Sequence, residues 1–349
     1  MARTDPKPPP RRRTRIPFVL LLLLVGVGIA GWQLWQDYAR FRVQPLAIGA
    51  DERVFEVERG DSFQDVLANI REAGIDAGHD LQWKLLAWEL GVITRLQVGE
   101  YAMGHGITPV RLLRKLESGQ VIQHRFTIVE GWSYAQLRAA LAADDSVVQT
   151  LQEVDDAELM RRLGAAEVPP EGRFLPETYH YTKGVTDFDI LRRAHIALES
   201  HLQQAWEGRA SGLPLDTPDQ ALVLASIIEK ETGVAGERPQ IAGVFVRRLQ
   251  MGMRLQTDPT VIYGLGSTFD GNLTRVHLQS DTPFNTYTRS GLPPTPIALP
   301  GKAAIDAALH PADGDALYFV SRGDGSHVFS STLQEHNRAV RRFQLRRGR

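Results

Sequence analysis

The segment Thr217-Pro218-Asp219-Gln220-Ala221-Leu222-Val223-Leu224-Ala225-Ser226-Ile227-Ile228-Glu229-Lys230-Glu231-Thr232-Gly233 decides how the larger part of this chain folds. Thr217 is an N-cap, Pro218 fills the first helical position, and Gln220 stands three residues on to complete a capping box. From Ala221 to Ile228 only Ser226 is polar, so the helix lacks a solvent face and must run through a core. Its last turn carries Glu229, Lys230 and Glu231 before Thr232 and Gly233 end it. A carboxylate there meets the negative end of the helix dipole, and burial adds a desolvation cost. Both raise a carboxyl pKa, as a general acid working near neutrality requires. The two glutamates lie about 200° apart on the helical wheel, so at most one points into a given cleft. Glu231 shares the stripe of Leu224, Ile227 and Ile228, and Glu229 that of Leu222, Ala225 and Ser226. Periodicity does not choose between them, and a pair of solvated charges at a frayed helix end is the bland alternative.

Working outward toward the C-terminus, Arg238 to Gln250 has the pattern of an amphipathic helix with Pro239 near its start. Met253 to Gly264 reads as an extended run in which Asp258-Pro259 forces a turn. Beyond it lie Phe284-Asn285-Thr286-Tyr287 and the stiff loop Gly291 to Ile297. Gln256, Asp258, Asn285 and Thr286, interleaved with Tyr263 and Tyr287, suit recognition of hydroxyl and acetamido groups on a neutral sugar polymer. A well-ordered loop whose polar groups cap its own backbone would carry the same residues. Ala316 to Ser321 and His327 to Ser330 form a hairpin about Asp324-Gly325, and a closing helix runs from Thr332 to Leu345.

Toward the N-terminus, Ala143 to Ala210 is mostly helical and polar, interrupted by loops at Pro169-Pro170-Glu171-Gly172 and Phe174-Leu175-Pro176-Glu177-Thr178-Tyr179. Further back, Arg53 to Glu58 alternates as a strand does, and Ser62 caps a helix reaching Ala73. A helix over Leu81 to Leu90, a strand over Leu96 to Met103 and a helix over Thr108 to Leu116 follow. Val57 to Phe63 echoes Val129 to Tyr134: strand, glycine, serine cap, aromatic, helix. The first copy looks like the opening of a LysM module, a small βααβ unit that binds cell-wall glycan, although a plain packing module fits equally.

Composition sets the remaining bounds. The chain has 349 residues with 40 Lys+Arg against 41 Asp+Glu, a near balance that argues against a general nucleic-acid binder. It has no cysteine, which excludes disulfides, thiolate metal sites and thiol nucleophiles together. The ten histidines show no metal-ligand spacing, so no metal or cofactor is expected. The first residues are basic, and a charge-free run from Ile16 to Gln36 follows. About 20 apolar residues span a bilayer core, so this run is expected to anchor the chain with its basic side cytoplasmic and everything beyond Asp37 outside. A cleavable signal, with Gly28-Ile29-Ala30 as its cut site, is the competing reading, but signal cores run about 7 to 15 residues. The expected organisation is an α+β protein with a basic tail (1–15), one transmembrane helix (16–36), a LysM-like βααβ module (37–128) and a larger α+β catalytic domain (129–349).

The run Ala225 to Thr232, the segment Leu255 to Gly264, Asn285-Thr286-Tyr287 and Gly291-Leu292-Pro293-Pro294 together closely resemble the endolytic murein transglycosylase (YceG-like) family. The resemblance extends over essentially all of the chain from Asp37 onward. Thr295 stands where the family often has glycine, a departure that touches loop geometry. The resemblance implies that Glu231, the second glutamate of Glu-Lys-Glu, is the catalytic acid and that Glu229 supports the site. Gln256, Asp258, Thr260, Tyr263, Asn285, Thr286 and Tyr287 would then hold the sugar. It also implies a lyase that cuts nascent peptidoglycan strands at the outer face of the inner membrane and ends their elongation, with peptidoglycan synthases as further partners. Two other readings compete: an inverting hydrolase with Asp258 as base, and a wall-binding scaffold without activity.

Overall fold

The computed structural model describes residues 16–48 and 52–344. The basic tail expected over 1–15 and the far end of the closing helix at Leu345 lie outside the described residues. The chain divides into two compact units, Met1–Ile122 and Gln123–Arg349. Each mixes helices with small sheets, and all three sheets among the described residues are two-stranded and antiparallel.

The first unit contains α1 (Ile16–Val43), β1 (Arg53–Val57), α2 (Phe63–Glu72), α3 (Asp80–Leu90), β2 (Gly99–Met103) and α4 (Pro109–Ser118). β1 pairs with β2, Arg53 opposite Met103 and Val57 opposite Gly99, so the order β1-α2-α3-β2 closes on itself. The inward residues of the pair, Phe55 and Tyr101, stack at 5.7 Å. Ser62 caps α2 through a reciprocal box with Asp65, which satisfies two of the free N–H groups at the helix start. Trp83, Leu86, Ile70 and Leu112 are fully buried between the helices, and the Trp83 indole donates to the Ala77 carbonyl at 2.9 Å.

α1 is long and apolar enough to cross a membrane, and Leu20 to Leu24, Trp32, Leu34 and Trp35 are exposed along it. It continues beyond the expected end at Gln36 because its last two turns join the core of this unit. Phe41 meets Trp83 edge-on at 5.1 Å, Tyr38 donates to Glu89 at 2.7 Å, and Arg42 pairs with the same carboxylate at 2.9 Å. Trp83→Ala should cost about 3 to 5 kcal/mol of this unit's stability. In calorimetry the loss should fall on one of the two units; a shift of both together would mean that they unfold as one.

The second unit contains β3 (His124–Thr127), α5 (Tyr134–Ala142), α6 (Asp156–Arg162), β4 (Thr178–Tyr181), α7 (Asp187–Glu207), α8 (Pro218–Glu231), α9 (Arg238–Gln250), α10 (Asp258–Leu265), α11 (Arg275–Gln279), α12 (Lys302–Leu309), β5 (Tyr318–Ser321), β6 (His327–Ser330) and α13 (Leu333–Phe343). α8 runs through its centre, with every residue from Ala221 to Ile228 buried against α7, α9 and α12. Each Leu or Ile so buried contributes about 2 kcal/mol. Ser226, the one polar residue of that run, donates to the Val223 carbonyl at 2.7 Å and accepts from the Ile297 N–H at 3.0 Å. Its hydroxyl thus carries no unpaired-polar cost and ties the stiff proline loop to the helix.

Four expectations are corrected. Thr217 caps α8, but the Gln220 side chain reaches past it to the Asp216 N–H at 2.6 Å, so the capping box is not closed. Residues 258–265 are helical rather than extended: Pro259 sits in the first turn, where its missing N–H costs nothing. Residues 178–181 form a strand rather than a loop, with Tyr179 and Tyr181 inward and Thr178 and His180 outward. That strand pairs with β3, His124 opposite Tyr181, which places residues 123–128 in the second unit instead of the module expected to end at 128. The echo between the units is real at the level of capping, since Ser133 closes a box with Gln136 as Ser62 does with Asp65.

Candidate active site

Glu231 is the last residue of α8, and Thr232 beyond it is already extended. Its Oε1 accepts a short hydrogen bond from the Thr257 hydroxyl. Thr257 is itself fixed from below. Its N–H donates to Thr286 Oγ1 at 3.1 Å, and Thr260 Oγ1 donates to its carbonyl at 2.8 Å while meeting Thr286 Oγ1 at 2.9 Å. All three threonines are buried. Asn285, also buried, donates to the carbonyls of His277, Leu278 and Ser280 and accepts from the Tyr287 N–H at 2.8 Å. Its hydrogen-bonding capacity is thus spent on the loop between α11 and Tyr287.

The Glu231 carboxyl opens on a cleft of about 460 Å³. It is lined by Gln256, Asp258 and Tyr287, by Tyr318, His327 and His336 from the C-terminal hairpin and α13, and by Arg248 of α9. Gln256 holds a left-handed backbone, φ +52°, at the kink leading into α10. Tyr287 donates its hydroxyl to Asp258 at 2.5 Å. Glu231 keeps a strip of contact with the cleft, but its carboxyl is ringed by protein, and burial pushes its pKa up to about 7. The Thr257 hydrogen bond opposes that rise, the charge of Asp258 adds to it, and His327 and Arg248 favour the ionised form. Thr257→Val should remove a charge-assisted bond of about 1.5 to 3 kcal/mol and raise this pKa further, by about one to two units. A carbon-detected NMR titration of the Glu231 carboxyl checks this; an unmoved or lowered midpoint contradicts it.

The sequence-derived candidates separate into three groups. Glu231, Gln256, Asp258 and Tyr287 meet at the cleft. Thr260 and Thr286 hold Thr257 in place, and Asn285 fixes the loop that carries Thr286 and Tyr287. Glu229 and Tyr263 are elsewhere. The Glu229 carboxylate is 5% exposed and accepts from Arg238 Nη2 at 3.2 Å and from the Gly301 N–H at 2.9 Å, fastening the end of α8 to α9 and to the start of α12. Tyr263 packs on Phe284 at 4.9 Å and hydrogen-bonds Glu171, whose pKa burial raises to about 6. Two wheel positions that periodicity could not rank therefore face two different surroundings.

Arg248, Tyr318, His327 and His336 were not singled out by the sequence. They read as parts of an amphipathic helix, a hairpin and a closing helix, and no local pattern distinguishes them. Arg248 is 8% exposed, with Nε donating to the Leu317 carbonyl at 2.7 Å and Nη1 to that of Leu255 at 2.8 Å, so it ties the start of the hairpin to the segment leading into Thr257.

A profile of the YceG-like family matches residues 55–342. A Bacillus subtilis protein named endolytic murein transglycosylase is 32% identical over 71% of this chain and 73% of its own length. A Streptococcus pneumoniae protein of the same name is 24% identical over 92% of this chain, which spans 63% of that relative. The crystal structure of a YceG-like protein from Listeria monocytogenes covers 83% of this chain and all of its own, with a TM-score of 0.53 at 26% identity. Matched along most of its length by one profile, this chain belongs to the YceG-like family.

Proposed function

We propose that this chain is a membrane-anchored lytic transglycosylase cutting the β-1,4 bond between N-acetylmuramic acid and N-acetylglucosamine in nascent peptidoglycan, with 1,6-anhydro ends as products. The observation that carries the reading is the Glu231 carboxyl, whose burial holds its pKa at about 7 in a cleft that Asp258 also lines. The names of the relatives support the substrate.

Protonated Glu231 gives its proton to the leaving glycosidic oxygen, and an oxocarbenium-like state develops. The muramoyl 6-hydroxyl then closes on C1. A hydrolytic glycosidase normally needs a second carboxylate, about 5 Å away for retention or about 6.5 to 9.5 Å for inversion, to act as nucleophile or to activate water. An intramolecular hydroxyl needs only to be held close. In the one-carboxylate scheme Glu231 then recovers the proton from that hydroxyl. Gln256, Asp258 and Tyr287 border the place where the ring would lie and are its proposed hydrogen-bonding partners. Thr260 and Thr286 act through Thr257, Asn285 holds the loop before Tyr287, and Glu229 holds α8.

α1 supplies the anchor, with the N-terminus cytoplasmic and the chain beyond Asp37 outside the inner membrane. The βααβ unit is the proposed LysM-like contact with glycan, the strand cut ends elongation, and synthases are the expected neighbours. Cleavage in ¹⁸O-labelled water tests the reaction class. The proposal expects new ends free of label; label at the muramoyl end would make the protein a hydrolase and turn attention to Asp258 as base.

A further inference from the structure

We infer that His327, oriented by Glu237, is a second proton-handling group of this cleft and accepts the proton of the muramoyl 6-hydroxyl while Glu231 protonates the leaving oxygen. The inference rests on the transglycosylase reading and changes only where the second proton goes. His327 opens β6 and lines the cleft. Its Nδ1 lies 2.7 Å from Glu237 Oε2, and its backbone N–H donates to Glu237 Oε1 at 2.9 Å. Both side chains are nearly buried, at 10% and 14% exposure. Burial works to raise the Glu237 pKa, but the two hydrogen bonds from His327 and the charge of its ring outweigh it and hold the carboxyl below its ordinary value. An ionised Glu237 only accepts, so Nδ1 carries a proton and, in the neutral ring, Nε2 is the acceptor. Phe319, edge-on to the ring at 5.4 Å, limits how the imidazole can turn.

The charges balance. The C1–O4 bond breaks with its electron pair on O4, which takes the proton of Glu231. The O6–C1 bond forms as O6 loses its proton to Nε2 of His327. Glu231 is then an anion in surroundings that disfavour one, facing a new cation whose charge offsets it. Proton return from His327 to Glu231 restores the resting state without water entering the product. The other ionisable groups lining the cleft are Arg248, Asp258, Tyr287, Tyr318 and His336, and none of them has a carboxylate fixing an imidazole tautomer.

The test compares the full-length chain with its His327→Gln, His327→Ala and Glu237→Gln variants, all on uncrosslinked glycan strands across pH. Wild-type kcat/KM should fall as Glu231 loses its proton. His327→Gln should lose about 10²- to 10⁴-fold in kcat with KM little changed, and Glu237→Gln should lower kcat in the same way by releasing the ring. Added imidazole should restore activity to His327→Ala, a rescue that a merely structural role would not give. An unchanged kcat in His327→Gln, or no imidazole rescue of His327→Ala, overturns the inference while leaving the transglycosylase reading intact. A wild type that makes no anhydro ends overturns that reading instead.

Discussion

Glu231→Gln is expected to lower glycan cleavage by at least about a thousandfold, within the range that a positioned general acid contributes, and to do so without unfolding the protein. Glutamine keeps the volume and still accepts from Thr257, but has no proton to give. The sign of the stability change follows from the raised pKa. A carboxyl that ionises near 7 when folded, against 4.5 ordinarily, stabilises the fold fully below about pH 4.5 and loses that contribution as pH rises through 7. Relative to a neutral side chain this is a penalty of about 3 kcal/mol at most above pH 7. The variant should therefore melt at a higher temperature than wild type at pH 8, and the gap should close toward pH 4.5. A variant that melts lower at pH 8 would show that the ionised carboxylate is favourably held and that its burial is not what tunes it.

Glu229→Ala should behave in the opposite way. The side chain is shut away from the cleft, and its removal leaves Arg238 buried with only a longer contact to the exposed Glu130, at 3.4 Å, and leaves the Gly301 N–H unpaired. Breaking a buried ion pair from one side costs about 3 to 5 kcal/mol, about 10 °C for a unit of this size. Activity measured well below the melting point should survive, because Glu229 reaches no reacting atom. Loss of cleavage with an unchanged melting temperature would assign Glu229 to the chemistry.

The contrast between these neighbours shows where sequence reading stops. The buried helix, the serine caps, the hairpin and the βααβ order were legible, because each rests on local periodicity or on a turn residue with its own chemistry. The Glu229 and Glu231 assignments were not, because the wheel gives directions without saying what stands there. Arg238 and Gly301 stand on one side and Thr257 on the other, brought in from 9, 72 and 26 residues away. The helix at 258–265 was missed because Asp-Pro is good turn chemistry and good helix-start chemistry alike. Asn285 and Thr286, polar and next to an aromatic, looked like sugar ligands, yet their groups are spent on the backbone and on Thr257. Arg248 and His327 reach the cleft only through tertiary pairing of α9 with the hairpin, which no window of sequence contains.

Mass analysis of the glycan ends made by wild type and by Glu231→Gln, side by side on long uncrosslinked strands, tests the central claim most directly. The account predicts 1,6-anhydro-muramoyl ends from wild type and none above background from the variant. Anhydro ends in equal yield from both would contradict it and remove Glu231 from the reaction.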